Sequence, residues 1–163
     1  MQIKYLKYLN VLEFLGLTTN KGKTMGLDQY ANVRDRQSGK MKSPDFDKVY
    51  SDKNEYKPTD HGFVWRKHSR LQQFMQDIWG EQNPDSEAMN GDDELVITKD
   101  IIEALRKEVN SNYHSSFCHG GFFWGHQFQE EAVKQYADLD KQFCDWADKE
   151  LDNGNEVIYS CSW

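Results

Sequence analysis

The chain has 163 residues, 29% of them charged, and a formal net charge of −7. That length fits one domain able to bury about 70% of its unfolded surface, so folding requires neither a disulfide nor a metal. The acidic balance argues against broad sequence-independent binding to DNA or RNA, whose phosphates require a positive face, although it leaves room for a local basic patch.

In chain order, Tyr5, Tyr8, Leu9, Leu12 and Leu15 stand at helical spacing over residues 1–17, and Gly16 marks a stop. A polar linker, Thr18 to Thr24, separates this expected N-terminal helix, which is either an appended element or an upstream extension, from Met25, where an α+β domain over 25–163 begins. Leu27, Gln29, Ala31 and Val33 alternate with Asp28, Tyr30 and Asn32, the pattern of a strand with one inward face. Residues 35–60 are rich in Asp, Lys, Ser, Gly and Pro and read as a long mobile loop. Phe63-Val64-Trp65 forms a second short strand. Ser69 is placed to cap a helix from Arg70 to about Gly80, with Leu71, Phe74, Met75, Ile78 and Trp79 on its inner face.

Residues 83–93 form an acidic loop, and Leu95-Val96-Ile97 is a short strand or a helix lead-in. Thr98 caps a helix through about Asn110 that buries Ile101, Ile102, Leu105 and Val109. The longest helix runs from about Gln127 to Asp152 along a stripe that includes Tyr136, Leu139, Phe143, Trp146, Ala147 and Leu151. Asn153-Gly154-Asn155 supplies a left-handed stop. A final strand puts Val157, Tyr159, Cys161 and Trp163 on one face. These elements predict a small, mostly antiparallel sheet covered by about three helices on one face.

Chemistry concentrates in two places. Cys118-His119-Gly120-Gly121-Phe122-Phe123-Trp124-Gly125-His126 packs two histidines, three aromatics and three glycines into nine residues. Such rings are either core or a stacking shelf for a base, since burial contributes about 1.5 to 3 kcal/mol per ring and stacking about 1 to 3 kcal/mol per base. Trp65-Arg66-Lys67-His68-Ser69 stands where a strand hands over to a helix, where free backbone amides attract anions. Arg66 is able to grip a carboxylate or phosphate through two parallel bonds, and Asp28 on the first strand is placed to meet Arg66 or Lys67 across the sheet.

Other patterns fall short of what their chemistry needs. Gly22-Lys23-Thr24 matches the end of a phosphate-binding loop, but Leu17 stands where its first glycine is required. Cys118, His119, His126 and His114 lack the close ligand pairs of a structural zinc site. The three cysteines, Cys118, Cys144 and Cys161, form no C-x-x-C pair and read as reduced thiols in cytosol. No apolar run approaches the ~20 residues that span a bilayer, and the start lacks a secretory signal. The reading is therefore cytoplasmic, with no membrane, metal or cofactor.

Four stretches in this order resemble a family of small bacteriophage proteins of unknown function. They are Met25-Gly26-Leu27-Asp28-Gln29-Tyr30, Trp65-Arg66-Lys67 before a helix, Gly121-Phe122-Phe123-Trp124-Gly125 before a long helix, and Tyr159-Ser160-Cys161-Ser162-Trp163. The likeness covers 25–163. Gln29 departs from the methionine typical of that position, and His68 from a frequent asparagine. The resemblance implies a phage product in a host bacterial cytoplasm and supplies no known catalytic residues. A sugar-phosphate kinase label attached to some members finds no support in a chain this short with no nucleotide loop.

Together these readings predict a non-catalytic binding protein for a small anionic ligand or nucleotide. Its site combines Asp28, Arg66, Lys67, His68, Gly121, Phe123 and Trp124. One alternative is an inhibitor that binds a host protein through the polar loops 35–60 and 83–93. The other is a phosphate-ester hydrolase using Asp28, His68 or His119. An amphipathic N-terminal helix leaves a homodimer open.

Overall fold

A computed structural model describes residues 26–42, 62–111 and 130–163. The expected N-terminal helix and linker, residues 43–61 and the aromatic-glycine segment lie outside them. The described elements are β1 (Asp28–Arg34), β2 (Met41–Lys42), β3 (Gly62–Arg66), α1 (Ser69–Gln82), β4 (Leu95–Ile97), α2 (Lys99–Ser111), α3 (Glu130–Asp152) and β5 (Glu156–Ser162).

The alternation read in β1 is real: Gln29, Ala31 and Val33 are buried, while their neighbours are half-buried. β1 is the centre of an antiparallel five-stranded sheet. On one side it pairs along its whole length with β5, from Asp28 opposite Ser162 to Arg34 opposite Glu156. Its other edge is shared by β3, which pairs with residues 28–32, and β2, which pairs with Val33 and Arg34. β4 closes the far side against β5, with Leu95 opposite Tyr159.

Part of the 35–60 stretch is ordered rather than a mobile loop. Asp35 accepts from the Ser38 amide and hydroxyl at 2.7 and 2.8 Å, and the Asp35 amide donates to Lys40 O at 2.9 Å. That side-chain bond tightens the turn and delivers Met41–Lys42 onto the edge of β1.

The three described helices lie on one face of the sheet. Leu27, Ala31, Phe63, Trp65, Leu95, Ile97, Val157 and Tyr159 of the sheet share a single buried cluster with Leu71, Met75 and Trp79 of α1. Ile102, Leu105 and Val109 of α2 and Phe143, Cys144 and Ala147 of α3 belong to it as well. Aromatic rings weld α3 to β3: Trp65 and Phe143 meet edge to face at 5.1 Å, as do Phe63 and Phe143 at 5.6 Å. The fold is α+β, as the sequence predicts.

Helix ends follow local chemistry. Thr98 Oγ1 accepts from the Ile101 amide at 3.3 Å, so α2 is capped where expected. α3 stops in a Schellman turn at Gly154 (φ +82°), where Asn155 N donates to Glu150 O and Gly154 N to Leu151 O. α1 differs from expectation. Its first helical residue is Ser69, and His68 holds the N-cap position without a side-chain capping bond. The imidazole is engaged elsewhere.

Candidate functional site

Between β3 and α1 the chain must reverse within two residues. Lys67 makes the turn in the left-handed region, at φ +56°, the sole non-glycine residue with positive φ among the described residues. An L side chain there costs about 1 to 2 kcal/mol. The conformation is pinned from before by the Lys67 amide, which donates to Leu27 O at 2.7 Å. It is pinned from after by Gln29, whose Oε1 accepts from His68 N at 3.0 Å and whose Nε2 donates to His68 O at 3.1 Å. A side-chain amide on β1 thus completes the peptide bonding that the reversal interrupts.

The turn drives the His68 side chain inward. Its Nε2 lies 2.7 Å from Asp140 Oδ2, and both side chains are fully buried. Asp140 Oδ1 accepts from the Trp65 indole N–H at 3.1 Å. Burying an acidic side chain is expensive, and here hydrogen bonds with the Trp65 indole and the His68 ring offset the loss of water. The Tyr136 ring stacks on the imidazole, with centroids 4.2 Å apart, and its hydroxyl donates to Arg66 O at 2.7 Å. α3 therefore holds the corner by two side chains one turn apart, Tyr136 and Asp140.

Outside this buried support stand the cations. Arg66 and Asp28 are directly opposite each other on β3 and β1. Arg66 Nη1 donates to Asp28 Oδ1 at 3.3 Å, with both side chains about 30% exposed. Lys67, next along the chain, is half-buried. Among the described residues, Arg66, Lys67 and Asp28 meet at the corner.

The support continues inward from Gln29. Its Nε2 donates to the Tyr159 hydroxyl at 2.9 Å, which donates to Gln72 Oε1 at 2.7 Å. Gln72 Nε2 donates to Cys161 Sγ at 3.2 Å, and that thiol donates to Met89 O at 3.3 Å. Burial pushes the Tyr159 phenol well above its usual range and the Cys161 thiol up to about 12. Both keep their protons at neutral pH and remain able to donate.

Of the residues singled out from the sequence, Asp28, Arg66, Lys67 and His68 come together at this corner. Asp28 meets Arg66, one of the two partners anticipated for it. His68 is sealed beneath them rather than presented beside them. Gly121, Phe123 and Trp124, together with His119, lie outside the described residues. Sequence reasoning missed Asp140, Gln29, Gln72 and Tyr159 as polar partners. Two carried a signal: Gln29 sits on the inward face of β1, and Asp140 falls between Tyr136 and Phe143 on the buried stripe of α3. Among the described residues no group of three or more His, Cys, Asp or Glu side chains is arranged to hold a metal ion. No helix of the described residues is long and apolar enough to cross a membrane.

Comparison with known proteins adds no relative. No protein-family model matches the chain, and searches of curated proteins and of solved structures found no match.

Proposed function

We propose that this protein is a non-catalytic binding protein for a small anionic ligand, such as a nucleotide or a phosphorylated metabolite. The ligand is taken at the Asp28–Arg66–Lys67 corner. The observation that supports this reading most directly is the placement of Arg66 and Lys67 side by side on a turn that Gln29, Tyr136 and the His68–Asp140 pair hold from within. A cation fixed before the ligand arrives loses less conformational freedom on binding. Arg66 already partners the Asp28 carboxylate, so an incoming phosphate exchanges one oxyanion for another at the same guanidinium. His68 and Asp140 are both sealed from water, so their part is to position the turn rather than to move a substrate proton. From the resemblance to small phage proteins we propose that this activity serves a phage in the cytoplasm of its bacterial host.

Calorimetry and thermal shift on the full chain test the reading. The panel comprises inorganic phosphate, pyrophosphate, nucleoside mono-, di- and triphosphates and sugar phosphates, at low and at physiological salt. At least one should raise Tm and give a saturable heat. Arg66→Met and Lys67→Met should each weaken it about tenfold, as expected for losing a charge-assisted bond of about 1.5 kcal/mol. A folded sample that shifts with nothing on the panel overturns the proposal.

A further inference from the structure

The hydrogen bonds running inward from the corner have only one consistent direction, and that direction carries a consequence. A backbone N–H can only donate, so the bond from His68 N fixes Gln29 with its oxygen facing the turn. Gln29 must then present its NH2 to His68 O and to the Tyr159 oxygen. With that side of its oxygen taken by a donor, the Tyr159 hydroxyl directs its proton onward to Gln72 Oε1. Gln72 is thereby fixed with its NH2 toward Cys161 Sγ. The Cys161 thiol, receiving that donor, gives its own proton to Met89 O. One backbone N–H at the β3–α1 corner sets the orientation of four side chains in series.

The relay is closed at both ends and along its length. Gln29, Gln72 and Tyr159 are fully buried and Cys161 is 1% exposed, so water is not at hand to replace a broken link. At its far end lies the 89–91 segment, which is held against the end of β5. Gly91 N donates to Cys161 O at 2.9 Å, and the Asn90 side chain bonds both the amide and the carbonyl of Trp163, at 3.1 and 3.0 Å. The Trp163 indole donates to the same Met89 oxygen that the thiol reaches.

We infer that the Gln29–Tyr159–Gln72–Cys161 relay couples the β3–α1 corner to the 89–91 segment, so that loosening one loosens the other. Breaking any link strands a buried donor or acceptor on each side of the break. The remaining links must then reorient against the direction set by His68 N or lose their partners. The coupling belongs to the fold and holds whether or not the corner binds an anion, so its failure and the failure of the proposed function are separate events.

Native-state amide hydrogen exchange on the full chain, followed by NMR, tests the coupling. The reporters are the amides of His68 and Gly91, one at each end. Gln72→Met keeps the backbone bond from Gln72 N to His68 O and removes only a side chain that does not bond the His68 amide; Gln29→Met removes a side chain that does not bond Gly91. Each should nevertheless speed exchange at the reporter amide its side chain does not bond about fivefold or more, the lower range of measured coupling between sites. The double variant should add little beyond the larger single effect. Val109→Ala in α2, outside the relay, calibrates general loss of stability. Acceleration confined to the mutated end, additive effects, or acceleration no greater than Val109→Ala gives at equal stability each overturns the inference. If either methionine variant fails to fold, Tyr159→Phe removes a single oxygen at the centre of the relay. Both reporters should then accelerate together, and acceleration at only one end is the overturning result.

Discussion

Lys67 spends its position on a conformation that glycine adopts without strain, so its side chain and its backbone can be tested apart. Lys67→Gly relieves about 1 kcal/mol of left-handed strain and gives back about the same in unfolded-state entropy. Its stability in urea should stay within about 0.5 kcal/mol of the parent chain, while anion binding falls. Lys67→Val keeps a side chain that tolerates this region worst, and should lose about 1 to 2 kcal/mol. Equal stability of the two variants would show that the turn does not hold its φ. Beneath it, Asp140→Ala leaves both the His68 ring and the Trp65 N–H facing an empty buried site. Removing one partner of a buried pair costs about 3 to 5 kcal/mol. Asp140→Asn keeps an oxygen for Trp65 and should cost about half as much. If chemical denaturation finds alanine no worse than asparagine, the pair does not support the corner.

At the scale of elements, cap chemistry decides where helices begin. Thr98→Ala removes the acceptor that meets the Ile101 amide and should lower stability by about 1 kcal/mol. Ser69→Ala should not act through a capping bond, because Ser69 is already inside α1 and His68 holds the cap position. Thermal denaturation checks the Thr98 variant, and an unchanged Tm would mean that this cap does not hold α2. The strands and helices were legible because their signals are local: period-two burial in β1, three-and-four spacing in α1 to α3, a threonine before α2. The corner was half legible. Arg66 and Lys67 announced themselves as charges at a junction, and Asp28 as their neighbour on the next strand. The His68–Asp140 pair joins residues 72 apart and the Gln29 clasp residues 39 apart, so no window along the chain contains them. What the sequence did show was a carboxylate on the buried stripe of α3 and an amide on the buried face of β1. Both are residues that interiors keep only when a partner satisfies them. β2 escaped notice because two residues carry no periodicity.

Among the described residues the molecule carries two thiols, Cys144 and Cys161, and Tyr159 in the core, and this gives its stability a slope at alkaline pH. Burial pushes Cys144 and Cys161 from 9.0 to about 12 and Tyr159 well above 10.0. A folded-state pKa raised above the unfolded value means the stabilisation is complete below the unfolded pKa and is lost as pH rises toward the folded one. In the unfolded chain the two thiols ionise near pH 9, while in the folded protein they hold their protons to about 12. Stability should therefore be flat with respect to these groups up to about pH 8.5. It should then fall by about 1.4 kcal/mol per thiol for each further pH unit, steepening as Tyr159 joins. Urea unfolding between pH 8 and 11 measures this. Cys144→Ala and Cys161→Ala should each start from a lower stability and descend less steeply, because one proton fewer is released on unfolding. Parallel descents for the parent and both variants would mean that the thiols ionise in the folded core. Cys161 would then be unable to donate to Met89, and the relay would lose its last link.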